Sequence, residues 1–319
     1  MKRVLITGGC GFIGVNLLHV MRREQPDLEL TAFDNETLGN EADLAGTGAQ
    51  FIRGDILDKE LLRSAMKSAD AVVHLAADTR VMDSIENPEK NFQVNVLGSW
   101  NVLTLARELG IERVVCASTG GAIMGNTPPP YDEKSVPRPI SPYGASKLAM
   151  EGYCSAFSGA YGMRCVCLRF SNIYGPYSHR KESVVAKFIR EVLEGRDLVV
   201  YGDGSQRRDL VFVEDIAQAI RTALENPSAQ GVYQLGYGRS SSLNELLDIL
   251  REVAGRDRQI NVEYRGFRTG EVLDTTCRID HARSELGYEP RIDLHEGVSR
   301  TWRWFLDSGV VSQPAVTGA

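Results

Sequence analysis

Two hydrophobic periods alternate along the first 175 residues. Short apolar runs with a β-branched bias at 4–7, 30–33, 71–75, 113–117 and 164–170, with a weaker one at 50–53, have the composition of strands buried on both faces. Between them apolar positions recur at helical spacing: Ile13, Leu17, Leu18 and Met21, then 59–67, then about 88 to 109, then 144–161. In the third of these, Phe92, Val96, Trp100, Leu103 and Ala106 fall on one predicted face. Strands alternating with helices predict an α/β fold, a doubly wound parallel sheet covered on both faces with ligands at the carboxyl ends of its strands. From about 177 the alternation breaks into predicted elements at 183–194, 198–201, 213–226, 232–235 and 243–253. These predict a smaller C-terminal lobe that closes over the ligand edge and interleaves with the first domain. The expected boundaries are 1–176 for the first domain, with later segments returning to it, 177–310 mainly for the lobe, and 311–319 for a frayed tail. Residues 126–142, rich in proline and polar side chains, read as a loop over the sheet.

The first strand runs directly into Gly8-Gly9-Cys10-Gly11-Phe12-Ile13-Gly14, a helix pattern follows, and Asp34 stands at the end of the second strand, twenty residues beyond Gly14. A glycine-rich turn between strand and helix lets backbone approach a pyrophosphate at the helix N-terminus, and an acid at that distance accepts hydrogen bonds from a ribose diol. This predicts a Rossmann-type dinucleotide site. The acid would repel a 2′-phosphate, which favours NAD over NADP.

The net charge of −6 over 319 residues gives no reason to expect nucleic acid or an anionic membrane surface. No apolar run is long enough to span a bilayer, and the chain opens on a strand without a signal-peptide layout; a cytoplasmic protein is expected. Six cysteines without C-x-x-C and five scattered histidines predict buried structural thiols and no metal.

The candidate chemistry lies in Tyr143-Gly144-Ala145-Ser146-Lys147, with the hydroxyl pair Ser118 and Thr119 one strand earlier. Tyr143 and Lys147, four apart at a helix start, share a face. A free phenol, with pKa near 10, is a poor base at neutral pH. An ammonium about 4–5 Å away in an effective dielectric near 20 favours the phenolate by roughly 3–4 kcal/mol, or about 2–3 pKa units, which predicts a tyrosine usable as a base.

At this point the chain resembles the extended short-chain dehydrogenase/reductases, specifically the NAD-dependent nucleotide-sugar epimerase/dehydratase family, over nearly its whole length. The resemblance implies that Gly8, Gly11, Phe12, Ile13 and Gly14 form the pyrophosphate loop, Asp34 and Asn35 hold the adenosine ribose, Asp55 and Ile56 contact the adenine, and Leu75, Ala76 and Ala77 wall the cofactor. It implies that Asn95 ties the central strands together near the active site, that Tyr143 and Lys147 are the catalytic pair, and that Phe170 lines the nicotinamide. Substrate contacts are implied for Thr119, Tyr143, Asn172, Arg180, Val185, Tyr201, Gln206, Arg208, Arg268 and Glu271, with Arg208 and Arg268 gripping a diphosphate from two sides. The stretch Ser118-Thr119-Gly120-Gly121 departs from the family's usual ending. Ser118 and Thr119 both remain candidates for the catalytic hydroxyl, and Thr119 is favoured because a subset of 4-epimerases carries the same form. The dehydratases of the family need an Asp-Glu pair after the threonine, and Gly120-Gly121 cannot supply it.

The expected function is C4 inversion of a UDP-sugar of the glucose/galactose type through a transient 4-keto sugar. The rivals are a UDP-glucuronate 4-epimerase or decarboxylase, a net dehydrogenase or reductase, and a non-catalytic NAD- or nucleotide-sensing protein. Two features bear on the sugar. Thr275, where relatives place a side chain whose bulk gates a 2-acetamido group, is small. His179-Arg180-Lys181 would put cations near a C6 carboxylate. A homodimer is expected through the helices predicted at 88–109 and 144–161.

Overall fold

The computed structural model describes residues 1–256, 258–267 and 273–311. Its first half alternates as the periodicity predicts: β1 (Arg3–Thr7), α1 (Phe12–Glu24), β2 (Glu29–Asp34), β3 (Gln50–Arg53), α2 (Lys59–Met66), β4 (Ala71–His74), α3 (Val81–Glu86), α4 (Pro88–Phe92), α5 (Gly98–Glu108), β5 (Arg113–Thr119), α6 (Gly120–Met124), α7 (Pro142–Tyr161) and β6 (Arg164–Phe170). The main sheet has seven strands. The strand Gly231–Leu235 pairs with β6 at one edge, and β5, β4, β1, β2 and β3 follow, every pair parallel. The order reverses direction between β1 and β4, so the carboxyl ends of these strands open a crevice at the switch point.

Two buried apolar clusters cover the sheet's faces. One joins α1 with the helix Val213–Glu225, and the other joins α2, α5 and α7. A third, built from Tyr174, Phe188, Ile189, Leu247, Trp302 and Phe305 among others, centres the C-terminal lobe. All six cysteines are buried free thiols. Among the described residues no helix is long and apolar enough to cross a membrane.

The stretch 88–109 departs from its predicted face. A π-helical turn at Gln93–Leu97 separates α4 from α5, and the extra residue in that turn breaks the single 3.6-residue phase. Val96, Leu103 and Ala106 are buried, whereas Phe92 is 52% and Trp100 40% exposed. Trp100 packs edge-on against Tyr153 and Phe157 of α7.

Candidate active site

The glycine loop is fixed by what surrounds it. Gly8 has φ of 71°, and a Cβ there would lie 2.6 Å from the Ala76 nitrogen; a Cβ on Gly14 would lie 2.5 Å from the Gly8 carbonyl. Helix α1 therefore sits closer to the strand ends than any side chain permits. Gly11 caps α1 without a side-chain bond, and a Cβ there would meet only the Gly8 carbonyl, at 3.2 Å. The first turn of α1 contains no acid and no side-chain cap, so its leading N–H groups are left for an anion such as a pyrophosphate. Asp34 Oδ2 accepts the Cys10 N–H at 3.0 Å and Oδ1 the Glu36 N–H at 2.7 Å. Burial pushes its carboxyl upward, opposed by those two amides. Each oxygen keeps a further lone pair for a diol.

Asn35 Nδ2 donates to Asp55 Oδ2 at 2.9 Å, joining the two residues expected around the adenosine. The Ile56 side chain is buried against Gly98. Leu75, Ala76 and Ala77 follow β4, half-buried, with the Leu75 N–H bonded to the Thr7 carbonyl. Asn95, in the π turn, accepts the Asp78 N–H at 2.8 Å and donates to the Asp78 carbonyl at 2.9 Å and to Ser146 Oγ at 3.0 Å. It ties the loop after β4 to α7 rather than joining strands.

The Tyr143 phenol faces the Thr119 hydroxyl, which favours its phenolate. Helix α7 starts on a Ser141 cap with proline in its first turn, and the Tyr143 N–H is held by Ser84 Oγ of α3 at 3.2 Å. Lys147, buried, donates from Nζ to the Ala117 carbonyl at 2.9 Å. Burial holds its pKa at about 8. The expected lowering of the phenol by Lys147 is not met. Tyr143 is pushed up to about 12, chiefly by burial, with Asp78 adding to the rise and Thr119 opposing it. The ammonium is turned to Ala117, and desolvation of the phenolate dominates.

Thr119 pairs in register with Phe170 at the end of β6. Ser118 instead donates to Glu151 Oε1 at 2.6 Å, so its hydroxyl serves a buried cluster and not the phenol. Sequence reasoning passed over that cluster, although Glu151 continues the spacing of Tyr143 and Lys147. It also passed over Thr7, His74 and Ser99. Ser99 Oγ donates to the Asn95 carbonyl at 2.6 Å, so it accepts from His74 Nε2 at 2.9 Å, and His74 Nδ1 accepts from Thr7 Oγ1 at 2.8 Å. Burial and Lys147 hold His74 neutral, with its pKa lowered to about 3.

The expected substrate residues fare unevenly. Asn172 Nδ2 is directed to Thr275 Oγ1 at 3.0 Å and the Asp209 carbonyl at 3.3 Å. The Val185 side chain is 1% exposed in the lobe's core, so only the backbone at its helix start can face a ligand. Gln206 is buried and braces the Tyr201 carbonyl. Tyr201 and Arg208 stand half-buried on the lobe. Arg180 pairs with Asp43 at 2.9 Å, on the segment that follows Asp34 and Asn35. Arg268 and Glu271 lie outside the described residues.

The model of the NAD dependent epimerase/dehydratase family matches residues 4–236. The chain belongs to that family. A putative UDP-glucose 4-epimerase of Methanocaldococcus jannaschii is 37% identical over 94% of this chain and 97% of its own length. A UDP-glucuronate 4-epimerase of Thermodesulfobacterium geofontis is 30% identical over 95% and 96%. The crystal structure of the Thermus thermophilus UDP-glucose 4-epimerase in complex with NAD aligns with a TM-score of 0.87 at 36% identity, covering 97% of this chain and all of that one. The cofactor is NAD, and the glycine cradle and Asp34 fit it.

Proposed function

We propose that the chain is an NAD-dependent 4-epimerase of a UDP-sugar of the glucose/galactose type. The observation that carries this reading is Tyr143 facing Thr119 at the end of β5, with Lys147 held on the Ala117 carbonyl of the same strand, at the sheet edge that bears the glycine cradle. Bound NAD supplies a reversible hydride acceptor for C4 of the sugar. Tyr143, as phenolate, takes the proton of the 4-hydroxyl, and Thr119 donates a hydrogen bond to the forming carbonyl. The lobe residues Tyr201 and Arg208 anchor the nucleoside diphosphate, which leaves the 4-keto sugar free to present its other face. Tyr143 then returns the proton as C4 is reduced. Lys147 contributes a fixed positive charge that lowers the cost of the phenolate once the pocket is filled. Gly120 and Gly121 open α6 without an acid, which speaks against water elimination.

Incubation with UDP-glucose, UDP-N-acetylglucosamine and UDP-glucuronate, with products resolved by NMR, tests the proposal. Conversion to the C4 epimer without net NADH is expected. A 4-keto-6-deoxy product, stoichiometric NADH or no conversion of any of the three rejects it.

A UDP-glucuronate substrate is the second reading, favoured by the likeness to the Thermodesulfobacterium geofontis UDP-glucuronate 4-epimerase, with Lys181 as the candidate carboxylate reader. Burial and the Arg80 guanidinium pull its ammonium downward, and among the described residues no carboxylate pairs with it. We also propose a homodimer through the exposed apolar face of Phe92, Leu97, Trp100, Tyr153 and Tyr161. Light scattering at micromolar concentration should give twice the chain mass, and Trp100→Glu should give the monomer; a monomeric wild type rejects it.

A further inference from the structure

Behind the Tyr143–Lys147 pair lies a buried ion pair that the reaction, as described, leaves without a role. The Glu151 and Arg169 side chains are each 5% exposed. Arg169 donates from Nε to Glu151 Oε1 at 2.9 Å and from Nη2 to Oε2 at 2.7 Å, and Ser118 Oγ donates to the same Oε1 at 2.6 Å. The Arg169 carbonyl accepts Gln234 Nε2 at 3.1 Å. A carboxylate taking three donors in this way is ionised. Well-packed apolar residues would serve stability as well as or better than such a pair, so the charges call for another reason.

Position supplies one. Tyr143, Lys147 and Glu151 follow one another at four-residue spacing along α7, and therefore share a face. Ser118 and Arg169 are register partners on β5 and β6, one residue before Thr119 and Phe170. Helix α7 thus grips the end of β5 twice in succession, through Lys147 on the Ala117 carbonyl and through Glu151 on the Ser118 hydroxyl. We propose that Glu151 is a positioning residue: through Ser118 it fixes the strand end that carries Thr119, and from the helix face it shares with Lys147 and Tyr143 it sets a carboxylate charge behind the ammonium. The inference rests on the epimerase reading above.

The groups that face Lys147 are His74 from β4, Cys116 from β5, Cys167 from β6, and Cys154 and Glu151 from α7. His74 is held neutral, and Glu151 is the one carboxylate among them. Arg169 faces Glu151 from β6 and partly offsets its charge. Removal of the Glu151 charge therefore leaves burial to drive Lys147 toward the neutral amine, with an unpaired Arg169 reinforcing the effect. Removal of Arg169 alone leaves the anion in place and acts in the opposite direction.

That difference in sign separates a charge role from a packing role. Glu151→Gln, Arg169→Met and the double variant are compared with wild type in the NAD-loaded protein, by the pH dependence of kcat, by KM for the UDP-sugar, and by phenolate absorbance referenced to Tyr143→Phe in each background. In Glu151→Gln the alkaline limb of kcat should move downward by about 0.3–0.5 pH unit, kcat beyond the limb should drop by about two- to threefold, KM should stay within about twofold because no substrate contact is lost, and the phenolate should titrate higher. Arg169→Met should leave the limb at or above its wild-type position, whatever it does to stability. The double variant, with no unpaired charge, should fold and retain the downward displacement, which keeps the test available if Glu151→Gln does not fold. An unmoved limb and phenolate in both Gln-containing proteins, or an equal downward displacement in Arg169→Met, overturns the proposal. A wild type that converts no UDP-sugar while its phenolate still responds to Glu151→Gln overturns only the epimerase reading.

Discussion

The site's own lysine should weaken the fold that holds it. An ordinary lysine titrates at 10.5, and burial holds Lys147 at about 8. At about 1.4 kcal/mol per pH unit, folding with this residue charged costs about 3 kcal/mol at neutral pH. Lys147→Met fills the same space without the charge and removes that cost. It also removes the hydrogen bond to the Ala117 carbonyl, a loss of about 1–2 kcal/mol. The cofactor-free variant should therefore be more stable than wild type by about 1–2 kcal/mol at pH 7, while turning over no substrate. Between pH 8 and 10.5 the unfolded lysine carries a proton that the folded one has lost, so wild-type stability rises with pH across this window. The variant has no such rise, and its advantage should be gone by pH 10. Urea unfolding of both proteins at pH 7 and pH 10 measures the double difference, in which other titrations cancel. A variant less stable than wild type at pH 7, or an advantage unchanged at pH 10, would refute the reasoning.

Tyr143→Phe should keep fold and NAD binding while turnover falls by about 10²-fold or more, since the proton acceptor is gone; retention of a tenth of the wild-type rate removes Tyr143 from the role. His74, neutral when folded with its pKa near 3 against an ordinary 6.5, contributes stability that is fully present above pH 6.5 and lost as pH falls toward 3. His74→Phe should flatten that acid limb in urea titrations, and an unchanged slope counts against the buried neutral ring. Arg180 is committed to Asp43, so any preference for UDP-glucuronate over UDP-glucose in kcat/KM should survive Arg180→Ala and be lost in Lys181→Met. Loss in the first variant alone would restore Arg180 as the carboxylate reader.

Legibility followed the range of the forces involved. The alternation of strands and helices was readable because each strand is buried on both faces and each helix on one, so burial writes its period into neighbouring residues. The glycine loop was readable for a related reason: contacts such as a prospective Cβ of Gly14 at 2.5 Å from Gly8 O exclude every other residue type within one short stretch. The π turn at Gln93–Leu97 was not readable, because an extra residue in a helical turn leaves no compositional mark. Its effect is seen only in Phe92 and Trp100 facing outward.

The chemistry divided along the same line. That Tyr143 and Lys147 share a face follows from helix geometry alone. The direction of the phenol's pKa does not, because burial dominates it, with Asp78 adding to the rise and Thr119 opposing it, and none of these is set by neighbours in the chain. Ser118 and Thr119 show the limit most sharply. The sequence presents two adjacent hydroxyls of equal standing, and what separates them is a carboxylate 33 residues away that bonds to Ser118. That carboxylate was itself in phase with Tyr143 and Lys147, but a glutamate on a helix is ordinarily a solvated charge. Only the bidentate Arg169 arriving from β6 makes burial of Glu151 tolerable. Long-range pairing therefore decides which hydroxyl is left free to meet the substrate.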